Sequence, residues 1–225
     1  MSTELPYGRD FYLARHAETD DNKNKVVSTA QAMLTENGKA QAIKAQNILA
    51  QIPSVNRIVT SQMPRAIETG GILNALRNLP SSKYNEINER DYGEAKGMPD
   101  EKRREIKVKC DEIAGEESKD AQRVRTIGAI VENLKMHDGI PLFVTHGGNI
   151  KRVMEHVLGE NVANSEYVTN CTIYEFIAPK GKGEGWKVNV LGLDSNKDII
   201  RRPFGESKIG RFASPRNERS IGMEL

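Results

Sequence analysis

Short apolar runs alternate with helix-patterned stretches from the first residues of the chain onward, and few folds accommodate that alternation. Phe11-Tyr12-Leu13-Ala14 is an apolar run of strand length ending at Arg15-His16. It predicts a buried strand that delivers those two side chains at its carboxyl end. Thr35-Glu36-Asn37-Gly38 opens a helix to about Ala50, with Ala40, Ile43, Ala45, Ile48 and Leu49 as its apolar face. Pro53 stops it and Arg57-Ile58-Val59-Thr60 follows as a second strand. Ser61 is then expected to cap a helix from Pro64 to about Leu76. Pro80, Ser81 and Ser82 mark a turn, after which Tyr84 to Ile87 reads as a short strand. Ser118 begins a helix to about Met136 with Val124, Ile127, Ile130, Val131 and Leu134 turned inward. Asp138-Gly139 ends it, and Ile140-Pro141-Leu142-Phe143-Val144 is a strong buried strand terminating at Thr145-His146. Gly148 to Leu158 is an amphipathic helix with Gly159 at its end. Thr172 to Ile177 and Trp186 to Leu191 are strands flanking the turn Lys180-Gly181-Lys182-Gly183. The fold class expected is α/β: a three-layer α/β/α sandwich around a mostly parallel sheet.

A length of 225 residues suits one compact body, expected over residues 1–193, with a tail over 194–225. Residues 94–117 are crowded with Lys, Arg, Asp and Glu, and only Ile106, Val108 and Ile113 hint at a stripe. A small cap over a site and a solvated helix both fit that insertion, the solvated helix being the default. The tail is rich in Arg, Ser, Asn and Gly, with Arg201, Arg202, Lys208, Arg211, Arg216 and Arg219 giving it a basic character. A solvated terminus is preferred there to an arm for acidic partners. A formal net charge of +2 gives no electrostatic case for a nucleic acid. No run approaches the roughly 18 apolar residues of a membrane span. The start, Met1 to Pro6, lacks the basic and apolar regions of an export signal. Cys110 and Cys171 match no zinc or disulfide framework, so free thiols in the cytoplasm are expected. For the same reason the acceptor pattern Asn170-Cys171-Thr172 is discounted as a glycosylation site. A homodimer is left open.

Ligands of open α/β sheets bind outside the carboxyl ends of the strands. His16 and His146 both fall there, whereas His137 near a helix end and His156 inside a helix read as structural. Arg15 precedes His16, and Arg65 opens the helix after the second strand. One histidine after one strand is more often a satisfied polar residue than a catalyst. Coincidence at successive strand ends is what singles these out.

The segment Leu13-Ala14-Arg15-His16-Ala17-Glu18-Thr19 resembles the Arg-His-Gly-Glu-Thr signature of the histidine phosphatase superfamily, which includes cofactor-dependent phosphoglycerate mutases. Further matches follow in order: Leu34-Thr35-Glu36-Asn37-Gly38, Thr60-Ser61-Gln62-Met63-Pro64-Arg65-Ala66, Ile87-Asn88-Glu89-Arg90-Asp91-Tyr92-Gly93 and Val144-Thr145-His146-Gly147-Gly148. The resemblance implies a phosphoglycerate mutase-like fold, with His16 attacking phosphorus to form a phosphohistidine. It implies that Arg15, Arg65, His146 and the backbone N–H of Gly147 cradle the transferring oxygens. Glu89 is implied as the acid that protonates the leaving oxygen and later takes a proton from water. Asn22 and Tyr92 fall at substrate-contacting positions, while Glu18 and Thr19 orient the loop after His16. Without the resemblance, Glu89 would read as a loop carboxylate paired with Arg90. No metal or cofactor is expected, because guanidinium groups supply the positive charge.

Among acceptors, water is favoured over a second substrate. The segment Lys23-Asn24-Lys25-Val26-Val27-Ser28-Thr29-Ala30 lacks the aromatic, glycine-rich loop of the mutases. Asp91 stands where they have a histidine, and its charge suits a second anion poorly. The expected activity is therefore hydrolysis of a small-molecule phosphomonoester. The alternatives are a mutase, for which Lys102, Arg103 and Arg104 offer anion contacts, and a non-catalytic phosphoryl-binding regulator.

Overall fold

The computed structural model describes residues 4–5, 8–109 and 112–206. Calls made on Met1 to Thr3, Pro6, Cys110 and residues 207–225 lie outside that set. The chain runs β1 (Phe11–Arg15), α1 (Asp20–Lys23), α2 (Glu36–Ala50), β2 (Val55–Ser61), α3 (Pro64–Asn74) and β3 (Ser81–Tyr84). After 3-10 turns at Asn85–Ile87 and Gly93–Ala95 come α4 (Asp100–Lys109), α5 (Lys119–Met136), β4 (Ile140–Thr145), α6 (Gly147–Leu158) and α7 (Glu160–Ala163). β5 (Ile173–Ile177), β6 (Lys187–Leu193) and β7 (Ile199–Pro203) complete it. No helix among the described residues is long and apolar enough to cross a membrane.

The seven strands form one sheet in the order β3-β2-β4-β1-β5-β6-β7. The first four pair in parallel and the last three attach antiparallel. Strand side chains alternate between two cores. Tyr12, Ala14, Ile58, Leu142 and Val144 pack with Ala42, Ala45, Leu49, Ala66 and Leu73 of α2 and α3. Phe11, Leu13, Val59 and Phe143 pack with Ile127, Ile130, Leu134, Ile150 and Val153 of α5 and α6. Both faces of the sheet are thus covered, and the expected three-layer sandwich with a mostly parallel sheet is what the chain forms.

Several local expectations change. The strand expected at Tyr84–Ile87 lies earlier, at Ser81–Tyr84, and Asn85–Ile87 is a 3-10 turn. Ile43 and Val124, assigned to apolar faces, are exposed, while Ala42 and Gln122 point inward. Of those faces, Ala45, Ile48 and Leu49 in α2 and Ile127, Ile130, Val131 and Leu134 in α5 are buried as expected. The tail from residue 194 opens with β7, which pairs with β6, and Phe204 is buried in the α5/α6 core. Helix α4 buries no residue, as a solvated helix would, and Val108 of its expected stripe is exposed.

Candidate active site

Sheet register brings the motifs together. Arg15 pairs with Thr145 and Thr60 with Val144, so His16, Ser61 and His146 sit beside one another at adjacent strand ends. The His16 N–H donates to Thr145 O at 2.8 Å, and the two imidazole rings lie 5.1 Å apart, tilted by 58°. His16, Arg65 and His146 are almost wholly buried.

Hydrogen-bond polarity fixes the protons on both rings. His16 Nδ1 lies 2.7 Å from Ala17 O, which only accepts, so Nδ1 carries the hydrogen. Nε2 therefore keeps a lone pair, and Arg65 Nε donates to it at 3.3 Å. Ser61 Oγ donates to Asn88 Oδ1 at 2.7 Å, and it faces His146 Nε2 at 2.8 Å. The hydroxyl hydrogen being committed to Asn88, His146 Nε2 must donate to Ser61. His146 Nδ1 is buried and bonds to no described residue; Arg15 Nε is the same. Burial above all, then the Arg15 and Arg65 guanidiniums, holds His16 well below its ordinary imidazole value. Burial, with Arg65 and His16 next, does the same for His146. Desolvation is thus the larger cause, and the two arginines add to it in the same direction.

Arg65 is anchored on α3 by Nη1 to Thr29 O at 2.8 Å and Nη2 to Met63 Sδ at 3.0 Å. Thr69, one turn on, accepts from Ala17 N at 3.0 Å and so holds the loop after His16. Arg15 Nη1 donates to Val168 O at 2.7 Å and Tyr167 Oη at 3.3 Å. A Cβ at Gly147 would lie 3.4 Å from Arg15 Nε, so this guanidinium crosses the start of α6. The first amides of that helix have no intrahelical acceptor and add partial positive charge. Ser61 does not cap α3, as the sequence suggested; the N-cap is Met63, and Ser61 serves His146 instead.

A cavity of about 900 Å³ opens above, lined by Arg15, Asn22, Glu89, Tyr92 and Gly147 among others. His16, Arg65 and His146 are not among the lining residues, whereas Arg15 and Gly147, the chain neighbours of the two histidines, are. Lys25, Arg103, Arg104, Lys151 and Tyr167 also line it, and sequence reasoning singled out only the two arginines among these. Lys102 is absent from the lining, as is Asp91, which pairs with Lys96 at 2.7 Å outside it. The charge argument drawn from Asp91 against a second anion therefore does not apply. Asn22 Oδ1 accepts from Asn170 Nδ2 at 2.9 Å, and the same amide reaches His16 O at 3.1 Å. The Arg90 and Arg103 guanidiniums, which share Glu116, lie 5.5 and 4.8 Å from the Tyr92 ring centroid. The Glu89 carboxylate and burial push its phenol up. Of the two residues expected to orient the loop after His16, Glu18 Oε1 accepts from Thr35 Oγ1 at 2.8 Å and Thr19 caps α1.

Glu89 Oε1 accepts from Arg90 N at 2.9 Å and Gln122 Nε2 at 3.2 Å. The Arg90 guanidinium pairs with Glu116, which also binds Arg103 and Lys107, tying α4 to the loop of Glu89. Arg125 holds the loop from α5 by its bonds to Glu86 O at 2.6 Å and Asn88 O at 2.8 Å. Ser61 falls inside the motif that carries Arg65, but no local pattern announces its bond to His146, nor Gln122 or Arg125 as site residues, because their partners are distant in sequence. Among the described residues no cluster of three or more His, Cys, Asp or Glu is set to hold a metal ion.

Fold and site together define an α/β protein with an arginine-flanked histidine pair next to residues that line a polar cavity. The family profile described as histidine phosphatase superfamily (branch 1) matches residues 11–192, and the chain belongs to that superfamily. It is 30% identical over 186 residues to an uncharacterized phosphatase, PhoE, of Bacillus subtilis, covering 79% of this chain and 93% of that one. A mycobacterial glucosyl-3-phosphoglycerate phosphatase shares the fold with a TM-score of 0.66 at 19% identity, over 80% of this chain and 96% of that one. Phosphoglycerate mutase from Bacillus anthracis gives 0.65 at 18%, over 88% and 94%.

Proposed function

We propose that the protein is a phosphatase that hydrolyses a small-molecule phosphomonoester through a phosphohistidine on His16, without a metal. The observation that carries this is the commitment of His16 Nδ1–H to Ala17 O, which leaves a neutral ring with its lone pair on Nε2. In the first step Nε2 bonds to phosphorus as the ester P–O bond breaks, and Glu89 protonates the departing oxygen. In the second, water attacks phosphorus, the N–P bond breaks, and Glu89 regains a proton. Arg65 Nε must exchange His16 Nε2 for a phosphoryl oxygen before attack, since its N–H occupies the attacking lone pair. Arg15 Nε is free to donate to another oxygen, and His146 Nδ1 can do so once protonated. Asn22, Tyr92 and Gly147 bound the leaving group and the phosphoryl site. A cytoplasmic setting goes with this reading, with neither nucleic acid nor membrane as partner.

A mutase reading is supported by Arg103 and Arg104 in the cavity wall. A panel of phosphomonoesters including 2- and 3-phosphoglycerate, assayed with and without EDTA, decides between them. We expect free phosphate from several esters, no interconversion of the phosphoglycerates, and no effect of EDTA. Isomerisation faster than phosphate release would favour the mutase, and loss of activity in EDTA would contradict the metal-free step. His16→Ala should abolish both turnover and ³²P labelling of the protein. Labelling that survives in this variant removes His16 as nucleophile.

A further inference from the structure

Gln122 has no part in the family resemblance, yet it is almost fully buried and reaches the acid. Its orientation follows from backbone atoms. Asn149 Nδ2 donates to Ile87 O at 2.8 Å and Asn88 O at 2.9 Å, both acceptors only. Asn149 Oδ1 is therefore the acceptor facing Gln122 Nε2 at 2.8 Å, with Thr126 Oγ1 donating to it at 3.1 Å. This makes the Gln122 atom near Glu89 an N–H donor, with one hydrogen for Asn149 and one for Glu89 Oε1. Oε1 then accepts from two donors, Arg90 N–H and Gln122 N–H. A proton cannot sit on Oε1, where both neighbours already donate. Helix α6 leaves room for this arrangement: a Cβ on Gly148 would fall 2.6 Å from Glu89 Oε1 and 2.7 Å from Gln122 Nε2.

We infer that Gln122 is a positioning residue for the acid, pinning Glu89 Oε1 so that the transferable proton resides on Oε2. The inference rests on the phosphatase reading and deepens it. As the P–O bond breaks and the His16 Nε2–P bond forms, the Oε2 proton passes to the leaving oxygen. When water attacks, one of its protons returns to Oε2 and its oxygen stays on phosphorus. Gln122 neither gains nor loses a proton in either step.

The test compares glycerol 2-phosphate, whose alkoxide needs a proton, with p-nitrophenyl phosphate, whose leaving group does not. In Gln122→Met, kcat/KM for glycerol 2-phosphate should fall about 10-fold or more, the scale of one hydrogen bond to a charged group, and that for p-nitrophenyl phosphate much less. In Gln122→Glu a second carboxylate within hydrogen-bond reach shares the proton, so the limb on which glycerol 2-phosphate hydrolysis declines with rising pH should move upward. Thr126→Val, which removes another bond to Asn149 Oδ1, should leave the ratio of the two substrates unchanged. Equal losses on both substrates, or an unmoved pH limb, would overturn the assignment. Should Gln122→Met fail to fold, the near-isosteric Gln122→Glu carries the test. Wild-type protein that hydrolyses neither ester and takes no label would overturn the phosphatase reading itself, whereas wild-type activity with uniform losses would overturn only the role of Gln122.

Discussion

At the scale of single residues, the proposed chemistry depends on two imidazoles kept uncharged by burial. Both hold folded values below the ordinary one of about 6.5. Between those lowered values and 6.5 the unfolded chain binds protons that the native chain does not. Their contribution is therefore complete above about pH 6.5 and is lost as the pH falls below it, by up to about 1.4 kcal/mol per pH unit for each histidine. Urea denaturation at pH 7.5 and 5.5 should show this loss, and His16→Gln with His146→Gln should flatten it; an unchanged slope in the double variant would place the effect elsewhere. Motifs in the sequence singled out Arg15, His16, Arg65 and His146, which the fold brings together. Hydrogen-bond roles were not legible there. Ser61 has the composition of a helix cap and sits two residues before Met63, the actual N-cap, but its hydroxyl is drawn to Asn88 and His146 by sheet register. Nothing local encodes that register.

Among the elements, α2 supports the loop after His16, as α3 does through Thr69. Thr35 N donates to Glu18 O at 3.0 Å, and a Cβ at Gly38 would lie 2.2 Å from that same oxygen. The obstacle is backbone, so it cannot rotate away. Gly38→Ala should destabilise the protein by about 1–3 kcal/mol, the range for overpacking, and lower turnover by shifting Glu18. Chemical denaturation together with kcat/KM reads both, and a variant at wild-type stability would contradict this packing. Strands β1, β2 and β4 are legible as apolar runs because helices cover both their faces. The edge strands are not: Ser81–Tyr84 has no apolar signature, and Ile199–Pro203 ends in two arginines and a proline that read as tail. Edge positions tolerate such residues, which also discourage pairing with another sheet.

For the molecule as a whole, β7 moves the limit of the folded body beyond residue 193. Phe204 packs edge-on against Tyr174 with centroids 6.1 Å apart, and Arg202 pairs with Glu166 at 2.6 Å. Phe204→Ala should cost about 3–5 kcal/mol, as for other buried aromatics cut back to alanine. A melting temperature within a degree of wild type would show that the last strand adds little. A homodimer, left open by the sequence, is not favoured by extension of the sheet at this edge, where Arg201, Arg202 and Pro203 stand. The charged segment 94–117 is neither a plain solvated face nor a packed layer. Its helix buries nothing, yet Arg103 and Arg104 reach the cavity while Glu116 anchors Arg103 below.

The buried Arg15 Nε and His146 Nδ1, which bond to no described residue, carry a thermodynamic consequence. The unpaired Arg15 Nε–H costs the empty fold about 1–3 kcal/mol, which a tetrahedral oxyanion relieves on entry by accepting from it, and from His146 Nδ1 once that ring is protonated. On the proposed function, then, inorganic phosphate is no neutral buffer for this protein. It is a ligand of the native state alone, and mass action makes the melting point rise with its concentration. Stability compared across buffers would report occupancy before it reported sequence.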